Sequence, residues 1–134
     1  MIDLSRALVS YLREDPTLAA KLGNFRGHPA VFASSPVPGP TTKPFIVTQV
    51  VSDETLGSKS GLYREIQQDI AIYDDEDGSA SDIESIAEYL REKLRTPFAV
   101  PDWAMTKLVV NGPTINDVED LHGRILTARI VLDR

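Results

Sequence analysis

The stretch Leu62-Tyr-Arg-Glu-Ile-Gln-Gln-Asp-Ile-Ala-Ile-Tyr73 decides the fold class. In an extended chain successive side chains alternate, so Ile66, Ile70 and Ile72 share one side while Glu65, Gln67 and Asp69 share the other. A long strand with one apolar and one polar face belongs to an antiparallel sheet covered on one side only. Upstream, Phe45-Ile-Val-Thr-Gln-Val-Val51 is a second β-rich run. Residues 52–61 between the two are polar, hold Gly57 and Gly61, and read as a long hairpin loop. Downstream, Asp74-Asp-Glu-Asp-Gly78 ends the strand.

Ser81-Asp-Ile-Glu84 has the S-x-x-E spacing of a capping box and opens a helix. Ile83, Ile86, Ala87, Leu90 and Leu94 line one face, with Asp82 and Glu84 early and Arg91, Lys93 and Arg95 late, as the helix dipole favours. Thr96-Pro97 stops it. A leading helix over residues 4–22 has Leu4, Ala7, Leu8, Tyr11 and Leu12 as its stripe, and Asp15-Pro16 interrupts it and starts a second short helical turn. Residues 29–33 give a short strand, and Pro36, Pro38, Pro40 and Pro44 make the next segment a stiff loop. After an irregular stretch, 107–111 form a strand broken at Gly112-Pro113. A last strand over 124–133 buries Leu126, Ala128, Ile130 and Leu132 and exposes Arg129 and Asp133. The expectation is an α+β fold: a mainly antiparallel sheet of four to five strands with two main helices on one face, in the order α-(α)-β-β-β-α-β-β.

The 134 residues suit a single domain, residues 1–134, with 42% apolar and 25% charged side chains. No apolar run approaches the roughly 18–20 residues of a membrane span. The start, Met-Ile-Asp-Leu-Ser-Arg, lacks the pattern of a secretion signal, so a cytosolic location is the expectation. There is no cysteine, which excludes disulfides, thiolate metal sites and thiol nucleophiles. Twenty acidic against 14 basic residues give a net charge of −6, the reverse of a protein that grips DNA phosphates.

The acidic turn invites a calcium reading, with Gly78 at position six of an EF-hand loop and Glu84 at position twelve. Position one is then Tyr73, which offers no carboxylate, so a solvated turn is the better account. His28 and His122 stand far apart, and Ser34 and Ser35 sit beside proline rather than in a G-x-S-x-G elbow. His122 follows Asp117, Glu119 and Asp120, an arrangement more common in a plain surface turn than in an acid–base cluster. No phosphate-cradling glycine loop occurs. Phe98 and Trp103 plug the core edge or a partner's groove. Neither a catalytic site nor a cofactor is indicated.

Loop length stands out instead, since segments 34–44, 52–61 and 97–106 all exceed the ~4–6 residues usual in compact domains. In the 52–61 loop only Leu56 is apolar, which suits either an arm that inserts into a neighbouring subunit or tube protein and orders on contact, or a merely tolerated surface loop. Asp53, Glu54, Leu56 and Lys59 in this loop, with Arg64 and Trp103, are the candidate subunit or partner contacts.

Taken in order, these segments resemble the tail terminator, or tail-completion, proteins of long-tailed bacteriophages and gene transfer agents. The resemblance spans nearly the whole chain. It rests on Arg6-Ala-Leu-Val-Ser-Tyr-Leu12, on Asp15-Pro-Thr-Leu-Ala-Ala-Lys-Leu-Gly23, which is similar to the family's D-P-x-L-x-x-L-x-G opening, and on Val31-Phe32. Lys43-Pro-Phe-Ile-Val47, the strand ending Ile70-Ala-Ile-Tyr73, the acidic turn, the helix over 83–94 and the terminal strand follow in the family's order. The resemblance implies a structural virion tail protein, assembled in the host cytoplasm, without enzyme activity or cofactor. It implies a ring, usually of six subunits, that stops tail-tube polymerisation and joins the tail tube protein to the head connector. DNA would pass through such a ring without sequence-specific binding, and an acidic chain avoids the counterion-release attraction of a basic bore. A small α+β ligand-binding or regulatory domain shares the same layout, and a small hydrolase would need His122 to converge with the 117–120 acids.

Overall fold

The computed structural model describes residues 4–33, 42–55, 63–75, 80–118 and 120–133. Helix α1 (Leu4–Arg13) buries Leu4, Leu8, Val9 and Leu12. Its chain then turns into the single turn α2 (Pro16–Ala19), where Asp15 Oδ1 accepts from the amides of Thr17 at 2.9 Å and Leu18 at 3.1 Å. Pro16 opens that turn because its missing N–H would have had no helical partner.

Two strands, β1 (Asn24–Phe25) and β2 (His28–Pro29), form a small antiparallel ribbon that the sequence reading did not anticipate. Its two-residue turn has positive φ at both Arg26 and Gly27, the geometry that matches strand twist. Arginine is a poor signal for that conformation, so the turn is hidden in the sequence.

The main sheet has the order β3-β4-β5-β7-β6. Its strands are β3 (Val31–Phe32), β4 (Phe45–Thr55), β5 (Tyr63–Asp75), β6 (Ala104–Ile115) and β7 (Leu121–Asp133). Every pairing is antiparallel except the short β3–β4 contact. Helix α3 (Ala80–Lys93) lies between β5 and β6 in sequence. Both long helices pack on one face: their buried leucines and isoleucines join Ile46, Ile66, Ile70, Ile72, Leu126, Ala128, Ile130 and Leu132 in one core cluster. Complete burial of each leucine or isoleucine contributes roughly 1.5–3 kcal/mol. Tyr11 stacks on Phe98 with ring centroids 5.0 Å apart, and Phe98 belongs to the core.

Three expectations are corrected. Residues 52–55, read as loop, extend β4 and pair with residues 64–67 of β5 beyond a bulge at Val50/Ser52. Their polarity reflects exposure, since backbone pairing needs no apolar side chain. Replacing the whole 52–61 segment by a tight turn would therefore remove paired strand, while residues 56–61 lie outside the described residues. Next, β6 runs straight through Gly112-Pro113 with a register irregularity between Asn111 and Thr114. Finally, α3 starts before the expected cap: it already includes Ala80, so Ser81 lies inside its first turn, and Glu84 Oε1 accepts from Arg124 Nε at 2.6 Å.

The core face of β5 also carries a polar residue. Gln68 is fully buried and its Nε2 donates to Thr48 Oγ1 at 2.7 Å and Ser5 Oγ at 3.0 Å. Its Oε1 is buried with no hydrogen-bond partner among the described residues. Thr48 keeps its own bond to Asp69 O at 2.8 Å, so removing the amide orphans little. Gln68→Leu is expected to stay within about 1 kcal/mol of the native stability, because an unmet buried acceptor offsets the bonds its partner atom makes. Urea denaturation measures this, and a loss above about 2 kcal/mol would show that the amide is net stabilising.

Candidate interaction surface

Three of the candidate contact residues converge where the β4–β5 ribbon leaves the core. Register sets Asp53 opposite Ile66 and Thr55 opposite Arg64, so Asp53 and Arg64 fall on one face, and Arg64 is in turn opposite Leu132. Arg64 Nη1 lies 3.7 Å from Asp53 Oδ2, and its guanidinium carbon lies 5.9 Å from the centroid of the Trp103 ring. Trp103 is positioned by a bridge to Val100 immediately before β6 and packs against the core edge. With side chains about a third exposed, the Asp53–Arg64 pair contributes roughly 0–1 kcal/mol. Its use is to hold a cation and an indole ring at one corner of the sheet.

Glu54 is not part of this cluster. It is directly opposite Glu65 on the face away from the helices, a like-charge pair across the strands. Leu56 and Lys59 lie outside the described residues.

The sheet leaves two edges open among the described residues. Strand β3 covers β4 only at Ile46 and Val47, and β6 has β7 on one side and no described strand on the other. The Ile46 amide donates to Ala30 O, so the backbone groups of Thr48 and Val50, which share its orientation, also point away from β5. Val50 and Val51 are 45% and 51% exposed on one edge, and Val109 is 41% exposed on the other. These valines were not singled out from sequence, because a β-rich run does not reveal which of its sides is left unpaired.

Elsewhere the polar clusters serve the fold. Asp117 Oδ1 accepts from the Gly123 amide at 2.9 Å and from Arg124 Nη1 at 3.2 Å, with His122 Nδ1 at 3.9 Å. The Gly123 amide, and beyond it Arg124, hold the Asp117 carboxyl below its ordinary range. Asp117 thus ties the backbone at Gly123 and the guanidinium of Arg124 together at the start of β7. Lys93 Nζ and Tyr89 Oη both donate to Asp15 Oδ2, at 2.8 Å and 2.7 Å, and Lys93 also sits 4.0 Å from the centroid of Tyr11. Burial opposes the Asp15 charge, but Lys93, Tyr89 and the Leu18 amide outweigh it and hold the pKa at about 2. Asp75, from the calcium-like run, is 2.8 Å from Lys43 Nζ. No group of three or more potential metal ligands occurs among the described residues. A cleft of about 200 Å³ lined by Lys21, Pro44, Asp74, Asp82, Ser85 and Ile86 is smaller than the ~300–1,000 Å³ of typical ligand pockets. Among the described residues no helix is long and apolar enough to cross a membrane.

No protein-family model matches the chain. No curated protein matches it either. Among solved structures, the chain is similar to one in a structure titled "Virion of native gene transfer agent (GTA) particle", with a TM-score of 0.75 and 21% identity. The match covers 98% of this chain and 95% of that one, so the two share the fold from end to end.

Proposed function

We propose that the chain is a structural protein of a phage-like or gene transfer agent particle, acting as one domain. Its role is that of a tail terminator: a ring, six subunits in the family's usual form, that ends the tail tube and joins it to the head connector. The observation that carries this reading is the end-to-end fold match to a chain of a gene transfer agent virion, at 98% and 95% coverage. The family order of elements in the sequence points the same way independently.

A non-enzymatic role is part of this reading, and the buried Thr48 and Arg124 are committed to internal bonds. The net charge of −6 on every copy suits a ring through which DNA passes without adhering. Asp53, Arg64 and Trp103, gathered at one corner, are proposed subunit or partner contacts, together with Glu54, Leu56 and Lys59.

Electron microscopy of the purified protein, with and without tails lacking their terminator, tests the role. Rings and tails of fixed length that accept heads are the expected result. Rings should form unchanged in the presence of a chelator. A protein that stays monomeric at high concentration and fails to join purified tails would overturn the reading.

A further inference from the structure

We infer that copies of this chain join through their sheet edges, with the far half of β4 in one copy pairing antiparallel to β6 of the next. The inference rests on the ring-forming role proposed above and names the surface that makes the ring. The strands alternate in direction across β4, β5, β7 and β6, so the two open edges run oppositely. Subunits related by rotation about an axis along the strands keep those directions. An edge contact between neighbours then continues the antiparallel order, and because the two surfaces differ it closes head to tail.

Side-chain chemistry fixes the register. Irregularities at Met105/Lys107 and Asn111/Thr114 leave residues 107–111 as the straight part of β6, and the β4 bulge at Val50/Ser52 leaves residues 52–55 straight beyond it. On the face away from the helices β4 presents Ser52 and Glu54, whose strand partners are Gln67 and Glu65. On the same face β6 presents Lys107 and Val109, whose partners are Val131 and Arg129. Setting Lys107 opposite Glu54 brings Val109 opposite Ser52 and beside the exposed Val51. That arrangement places a cation against two carboxylates that otherwise repel each other, and covers valines on both edges. Bulges and an edge lysine do guard a strand against indiscriminate pairing, yet exposed valines on both open edges defeat that purpose. The features together describe an edge that selects one partner, and the partner is another copy.

Charge exchange tests the register. Glu54→Lys and Lys107→Glu, made singly, are expected to raise the concentration needed for assembly at least tenfold in light scattering. The double exchange is expected to restore it. Glu54→Lys also removes the repulsion with Glu65, so a lost assembly cannot be put down to a lost fold, and circular dichroism checks this. A second test uses the absence of native cysteine. In a Ser52→Cys, Val109→Cys chain, β4 and β6 of one copy are three strand spacings apart, about 14 Å, well beyond the ~7 Å between Cα atoms that a disulfide spans. Any bond between the two positions is therefore between copies. Oxidation should give a ladder of oligomers ending at the ring size, whereas either single variant should stop at dimers. If native rings form but the double variant gives no ladder and the single exchanges assemble normally, edge pairing is wrong and the terminator role stands. If no rings form and tails are not joined, the role itself falls and the edge pairing with it.

Discussion

Gly123→Ala is expected to cost about 3 kcal/mol or more, because the turn into β7 is closed by backbone packing at this residue. A Cβ on Gly123 would stand 2.1 Å from Asn116 O and 2.9 Å from Tyr73 Cε1. The carbonyl cannot withdraw alone. The Asn116 amide donates to Gly123 O at 2.9 Å, and the Gly123 amide donates to Asp117 Oδ1 at 2.9 Å. Shifting the backbone breaks both bonds and removes the acceptor that Arg124 Nη1 reaches at 3.2 Å. The neutral backbone bond from Asn116 to Gly123 contributes roughly 0.5–1.5 kcal/mol, and Arg124 is left half-paired in a buried position. Chemical denaturation is the measurement. A loss under about 1 kcal/mol would mean that the backbone at Asn116 and Gly123 yields freely and pins nothing.

At pH 7, Asp15→Asn should lower stability by about 2 kcal/mol, although asparagine is a good helix cap. The cap bonds to Thr17 and Leu18 survive the change, so the loss isolates the link to α3. There Lys93 keeps its charge with a side chain only 16% exposed, and loses its partner at 2.8 Å. The pH dependence gives the sharper signature. The folded pKa of about 2 lies below the unfolded value of 3.8, so the native state binds this proton less readily. The stabilisation is complete above about pH 4 and is lost as the pH falls towards 2. Native and variant stabilities should thus differ at neutral pH and converge near pH 2. Parallel curves over that interval would show that the carboxylate's charge is not what holds the helices together.

The same residue shows where sequence reading stops. Asp15 was legible as a cap because the cap is made within three residues. Its bonds to Tyr89 and Lys93 come from the far side of the chain, and no local pattern announces them. Arg124 is a similar case, reading as the polar start of an alternating strand yet lying buried against Glu84 and Asp117. Gln68 falls on the apolar face of β5, where alternation alone would demand a hydrocarbon. Of the candidate contacts, Asp53, Arg64 and Trp103 were chosen for their segments, and only strand register shows that they meet.

By itself the sequence determined the α+β class, the buried faces of α1, α3, β5 and β7, and the break at Asp15-Pro16. Those features depend on side-chain period and on caps, which are set by neighbours a few residues away. The tertiary structure alone decided how far β4 and β5 run past the core, which edges stay open, and which charges are drawn inside. Backbone pairing is indifferent to side-chain polarity, and edges and ion pairs join residues far apart in the chain, so neither leaves a local pattern to read.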